Sequence, residues 1–228
     1  MFALHCRSVY KTNIGRCFSL LYQLRDPYRP LFNKENPMSL AIDDLMHEHD
    51  AILSSFRILD GMSRVLAAGQ PIAASDAVEL LGFLREFGDS CHHGKEEGFL
   101  FPAMVHAGLP SESGPIAVML HDHTQGRAWL QAMEQALGPE FRPDAFLTAL
   151  RGYVTLMRSH IAKENNVLFP MAENLLDAEA LQTLFDQFEE HEARVIGPGR
   201  HQQLHALLES LIARYPAAAH SQHSHGVH

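Results

Sequence analysis

The stretch His92-His93-Gly94-Lys95-Glu96-Glu97-Gly98-Phe99-Leu100-Phe101-Pro102 recurs as His160-Ile161-Ala162-Lys163-Glu164-Asn165-Asn166-Val167-Leu168-Phe169-Pro170. In register, His92 falls on His160, Lys95 on Lys163, Glu96 on Glu164, and Leu-Phe-Pro on Leu-Phe-Pro. The kernel is His-x-x-x-Glu. Residues four apart on a helix lie on one face, one turn above the other, so each copy offers an imidazole and a carboxylate to the same point.

A second echo precedes each copy. Met46-His47-Glu48-His49-Asp50 is answered by Leu120-His121-Asp122-His123-Thr124. The chain therefore reads His49, then His92 and Glu96, then His123, then His160 and Glu164. A fold that suits this order must bring four separate helical segments to one place.

The periodicity supplies those segments. A first helix is predicted from Ser39, an N-cap with Asp43 and Asp44 in the early turns, with Leu45, His49, Ile52 and Phe56 on one face and Gly69 and Pro71 as its stop. A second starts near Ser75, buries Val78, Leu81, Leu84 and Phe87, and meets a kink or end at Pro102. After a Pro, Ser and Gly linker from Gly108 to Gly114, a third runs from Pro115 to Leu137. A fourth runs from Pro143 through Asn166, or further past a kink at Pro170. Shorter helices follow over Asp177 to Glu192 and His201 to Tyr215, separated by Gly197-Pro198-Gly199. No alternating β pattern appears. Short connections between long amphipathic helices imply antiparallel neighbours. The expected fold class is all-α: an up-down-up-down four-helix bundle over about residues 39–172, with additional C-terminal helices and a disordered His-rich tail.

Composition narrows the partners. The chain has 228 residues, is 46% hydrophobic, and carries a formal net charge of −9. That charge speaks against nucleic acid or an anionic membrane as partner. No apolar run reaches the ~20 residues of a membrane helix. Cys6, Cys17 and Cys91 form no CxxC pair and no even framework, which points to a reducing, cytoplasmic setting. Residues 1–37 are basic, with no acid before Asp26, and lack an apolar core or A-x-A site for secretion. Met38 is the expected true start, which makes 1–37 an atypical extension from a misassigned start site. Residues 38–215 form the helical domain. Residues 216–228, with His220, His223, His225 and His228, read as a disordered polar tail.

In an up-down bundle the start of the first helix lies beside the end of the second, and the start of the third beside the end of the fourth. His49, His92, Glu96, His123, His160 and Glu164 then converge at one end of the core. Burying four imidazoles and two carboxylates unpaired would be very costly. Two metal ions would satisfy them, His49 and His92 on one, His123 and His160 on the other, with Glu96 and Glu164 bridging. An added oxo or hydroxo bridge leaves an open position on each octahedral ion. Iron tolerates that mixed nitrogen and oxygen set, whereas structural zinc prefers a closed tetrahedral one.

This order of motifs resembles the hemerythrin-like (HHE cation-binding) proteins of bacterial type. The resemblance covers residues 39–172, and Phe188-Glu189-Glu190-His191-Glu192 and Gly197-Pro198-Gly199-Arg200-His201 are similar to their C-terminal extension. It implies a carboxylate-bridged centre of two iron ions held by His49, His92, Glu96, His123, His160 and Glu164, which binds or senses O2, NO or peroxide. Two other readings use the same centre: an enzyme consuming peroxide or NO, and an iron storage or delivery protein. Oxygen-carrying members place a fifth histidine on the third helix, four residues from its partner. Here that helix offers His121 and His123, two apart and on different faces. A more open four-histidine centre is therefore expected, suited to sensing, peroxide or NO chemistry, or iron handling.

Lesser candidates flank this set. His93 and Glu97 form an alternative pair one position out of register, and the overlay favours His92 and Glu96. Glu97 stays open as an extra carboxylate ligand. His47, His121 and His191 read as surface or supporting residues. Lys95 and Lys163 read as solvent-facing charges, and Cys91, Trp129, Phe83 and Phe87 as core.

Overall fold

The computed structural model describes residues 38–216; the expectations for residues 1–37 and for the tail beyond Pro216 fall outside them. Among the described residues the chain forms six helices and no strand. The first, α1 (Leu40–Ala67), opens on Ser39, whose hydroxyl accepts from Ile42 N–H. Its face of Leu45, His49, Ile52 and Phe56 is buried throughout. Ser39 also donates from its N–H and its hydroxyl to Glu173, at 2.8 and 2.6 Å, which fastens the start of α1 to the end of the fourth helix.

Helix α2 is continuous over residues 74–106. It begins as α-helix (Ala74–Phe83), widens to π-helix over Leu84–His93 and again over Glu96–Leu100, and finishes as α-helix (Phe101–His106). Its inner face is Ala77, Leu80, Leu81, Leu84 and Phe87. Val78, expected inside, is 58% exposed: the 3.6-residue stripe here runs one step off the spacing read from Val78. The next long helices are α3 (Gly114–Ala136) and α4, continuous over residues 143–175 with a π-turn at Glu164–Leu168. Pro102 and Pro170 end neither helix. Each stands two residues beyond a π-turn, where bonding has shifted from i→i+4 to i→i+5. The missing N–H therefore falls at a change of register, not within an unbroken α ladder.

Helix α1 packs on α2 and α4, and α3 packs on α2 and α4. The α3–α4 contact depends on glycines. A Cβ on Gly152 would lie 2.7 Å from the Trp129 ring, and one on Gly126 would lie 3.0 Å from Met157 Sδ. Phe56, Leu59, Met62, Leu80, Leu84, Leu130, Met133, Leu150 and Tyr153 belong to one apolar core. The remaining helices, α5 (Ala178–Val195) and α6 (Arg200–Arg214), lie against this group. Asp177 caps α5 by accepting from Ala180 N–H. Helix α5 rests on α1 and the π-helical part of α2, and α6 on α1 and the start of α2. Arg214 and Tyr215 anchor α6 on the buried carboxylate of Asp76. No helix among the described residues is long and apolar enough to cross a membrane.

Candidate metal centre

The six expected side chains meet. Donor atoms of His49, His92, Glu96 and Glu164 lie within 4.8 Å of one another, and so do those of His93, Glu96, His123 and His160. Glu96 belongs to both groups. It stands 3.6 Å from His92 Nε2 through one oxygen and 3.4 Å from His123 Nε2 through the other. Glu164 reaches both sides through a single oxygen, Oε2, at 3.3 Å from His49 Nε2 and 3.2 Å from His160 Nε2.

His93, the out-of-register candidate, joins the six in space. It is 6% exposed, stacks on His123 at 3.9 Å between ring centroids, and lies with Glu96, His123 and His160 as a fifth histidine of the cluster. On an α-helix, His92 and His93 would point about 100° apart. Both fall in a π-helical stretch, whose wider turn holds more residues and brings adjacent side chains closer in direction. The helix itself thus lets two consecutive imidazoles face one cluster.

The other secondary candidates stay outside. His121 and His47 are exposed. His191 is buried on α5, where it donates from Nε2 to the Ser90 carbonyl and accepts from Arg194 at Nδ1. Glu97 does not reach the cluster; one of its oxygens accepts from His123 Nδ1 at 2.7 Å and from Arg127 at 2.8 Å.

A ring of acceptors orients the imidazoles. His92 Nδ1 faces Glu48 at 2.9 Å, His49 Nδ1 faces Asn165 at 2.8 Å, His93 Nδ1 faces Asp89 at 3.3 Å, and His160 Nδ1 lies 3.4 Å from Asp122. An acceptor on Nδ1 fixes the tautomer that leaves Nε2 free to ligate. The acceptors are themselves held by cations: Glu48 by Lys95, Asp122 by Lys163, and both Asp89 and Glu97 by Arg127. Lys95 is wholly buried, against the expectation of a solvent-facing charge, while Lys163 is partly exposed. The sequence reading missed these partners, although their signal was present. Glu48 and Asp122 are the middle residues of the two His-acid-His echoes, and the two lysines share one offset in the repeat. Phe169 and Phe101, from the two Leu-Phe-Pro exits, stack on His49 and His123 at 5.5 and 5.9 Å.

Burial sets the protonation. It brings His92 down to about 3, and burial with the neighbouring His123 does the same for His93. Both are neutral and ready to donate a lone pair. Burial also opposes the charge on His123, but its hydrogen bonds to Glu96 and Glu97 prevail and raise it to about 9. His49 moves up likewise, burial being outweighed by Glu164. Glu96 falls well below the carboxylate range, because His92 and His123 overcome the cost of burial.

The donor set fits metal. His49 Nε2, His92 Nε2 and all four carboxylate oxygens of Glu96 and Glu164 are buried without a hydrogen-bond partner. Orphaned polar groups in such number would each cost roughly 1–3 kcal/mol, more when charged. Cations between them remove that cost.

Residues 40–172 match the hemerythrin HHE cation binding domain. The chain belongs to this family. This hemerythrin-like chain is 26% identical over 162 residues to an uncharacterized protein of Mycobacterium tuberculosis, a match covering 69% of the chain and 63% of that protein. It is 36% identical over 104 residues to the iron-sulfur cluster repair protein YtfE of Yersinia pseudotuberculosis, covering 42% of the chain and 46% of the relative. The same-named protein of Dickeya chrysanthemi is 34% identical over 89 residues, covering 36% and 40%. The chain thus spans less than two thirds of the length of these curated relatives. No solved structure matches.

Proposed function

We propose that this chain is a non-haem di-iron protein that binds or senses O2 or a related small oxidant, NO or peroxide. The observation that carries the reading is the pair of adjoining donor groups joined at Glu96, with both oxygens of Glu96 and Glu164 lacking a hydrogen-bond partner. His49 and His92 would hold one ion, His93, His123 and His160 the other, and Glu96 and Glu164 would bridge. When bound, the iron pair supplies redox and Lewis-acid chemistry toward the small ligand. The protein's own part is to hold seven donors in place, keep His92 and His93 neutral, and exclude water with Phe101 and Phe169. The ring of α1 to α4 is read as the antiparallel four-helix bundle of this family. A net charge of −9 supports a small-molecule ligand over nucleic acid or an anionic membrane. A buried free thiol at Cys91 suits a reducing, cytoplasmic setting.

The test is metal content with an absorption spectrum of the native chain. About two irons per chain and a near-UV oxo-iron band are expected, by the donor count. A reversible band on exposure to air supports binding, and steady loss of peroxide or NO supports turnover. Stoichiometric zinc, or no metal, overturns the reading.

The relatives named as iron-sulfur cluster repair proteins support a second reading, iron storage or delivery. Iron that passes readily from the chain to an apo-cluster protein would favour it. Iron retained through that challenge would exclude it.

A further inference from the structure

Lys95 sits outside the donor cluster, yet it is wholly buried, at 0% exposed. Its Nζ donates to three carboxylates: Asp44 at 2.8 Å, Glu48 at 2.9 Å and Glu192 at 3.1 Å. The second oxygen of Glu48 faces His92 Nδ1. Three links therefore join Glu192, on α5, to an imidazole of the centre. Glu192 lies beyond residues 40–172, the span of the family match.

The neighbouring residue works on the same stretch. His191 donates to the carbonyl of Ser90, two residues before His92. Its ring lies so close to α2 that a Cβ on Gly94 would stand 2.7 Å from Nε2. Helix α5 thus grips the π-helical segment that carries His92 and His93 from both sides of the ligand pair, at Ser90 and at Lys95.

The other half of the repeat serves as an internal control. Lys163 holds Asp122, and Asp122 faces His160, so the lysine-acid-histidine order is the same. There the lysine is 37% exposed, and among the described residues no carboxylate from α5 or α6 bonds it. One relay ends in solvent and the other ends in α5. Stability alone is a poor account of the buried one, since sinking an ammonium and its partners costs several kcal/mol per ion before their attraction offsets it. What such a junction provides is a fixed position and charge for Glu48.

We propose that Glu192 is a positioning residue for the metal centre, acting through Lys95 and Glu48 on His92, so that α5 tunes one side of the centre and not the other. This rests on the reading of His92 as a ligand. The direction follows from charge. With Glu192 neutral, Lys95 draws harder on Glu48, Glu48 becomes a weaker acceptor for His92 Nδ1–H, and the imidazole becomes a weaker donor to metal.

The test uses the full chain, unmodified and as Glu192→Gln, Glu192→Asp and Lys163→Met, titrated with Zn2+ and examined by proton–nitrogen NMR of the histidine rings with and without zinc. Glu192→Gln should weaken one of two zinc ions on the order of threefold to tenfold, less than the 10–100-fold typical of removing a ligand's direct partner. It should move the His92 Nδ1–H signal and leave that of His160 in place. Lys163→Met should do the reverse, and Glu192→Asp, which keeps the charge, should restore most of the His92 signal. If His92 does not move in Glu192→Gln, or moves together with His160, the proposal is wrong. A wild-type chain that takes up neither zinc nor iron would instead sink the metal reading itself, while the ring signals of the metal-free chain still decide whether Glu192 acts on His92.

Discussion

His123 Nδ1 lies 2.7 Å from a carboxylate oxygen of Glu97, and there the two halves of the centre cease to match. The equivalent contact in the other half, His49 Nδ1 to Asn165 at 2.8 Å, is within 0.1 Å of it in length and has a neutral acceptor. A carboxylate draws the Nδ1 proton more strongly than a carboxamide and makes the opposite nitrogen a better donor. Glu97→Gln should therefore weaken metal binding on the His123 side by about tenfold, and Asn165→Asp should strengthen it on the His49 side by a similar factor. Calorimetric titration of both variants with Fe2+ under anaerobic conditions checks this. Equal affinities in all three chains would show that acceptor charge does not matter here.

His93 separates the present geometry from the four-histidine expectation. It shares a donor group with Glu96, His123 and His160. His93→Ala should cost one metal ion per chain while leaving the ion between His49 and His92. His121→Ala, at an exposed position, should change neither. Metal analysis after gel filtration distinguishes the outcomes, and retention of full metal by His93→Ala would return the count to four.

Legibility from sequence followed the periodicity. The buried face of α1, most of that of α2, the extents of α1 and α3, the start of α4, and the convergence of His49, His92, Glu96, His123, His160 and Glu164 all follow from 3.6-residue spacing and the repeat. What the spacing could not convey was the change of helix type. A rule built on i and i+4 places His93 off the ligand face, and only the π-turn brings it in. The same rule leaves open whether the helices end or kink at Pro102 and Pro170, and the π-turns carry both past. A lysine next to a candidate ligand on a helix is ordinarily solvated, but Lys95 is buried. Its burial is decided by α5, whose Glu192 is 97 residues away in sequence.

Gly94 tests the close approach of α5. Replacing glycine by alanine inside a helix ordinarily stabilises by about 0.5–1 kcal/mol. At Gly88 and Gly98 a Cβ would meet nothing within 4 Å, so Gly88→Ala and Gly98→Ala should follow that rule. At Gly94 the Cβ would lie 2.7 Å from His191 Nε2, so Gly94→Ala should destabilise by roughly 1–3 kcal/mol. Combining it with His191→Ala should recover a good part of the loss, as residues in contact couple. Urea denaturation of the single and double variants reads the cycle, and strict additivity would mean the two residues do not touch.

Asp44 supplies a pH dependence whose sign can be worked through. Burial, with Glu48 next to it, raises its carboxyl from 3.8 to about 6, and the pull of Lys95 offsets only part of the rise. A carboxyl with a folded value above its unfolded one holds its proton more tightly in the folded chain. Its contribution to stability is then full below about pH 4 and disappears as the pH climbs through 6. Asp44→Asn cannot titrate, so it escapes the loss while still offering an acceptor to Lys95. Relative to the variant, the unmodified chain should lose roughly 1–2 kcal/mol of stability between about pH 4 and pH 7, a figure reduced because the side chain is 28% exposed and partly screened. Denaturation of both chains at several pH values in that interval gives the difference directly. A flat difference, or one in which the unmodified chain gains as pH rises, would mean that Lys95 outweighs burial and that Asp44 is an ordinary ion-pair carboxylate.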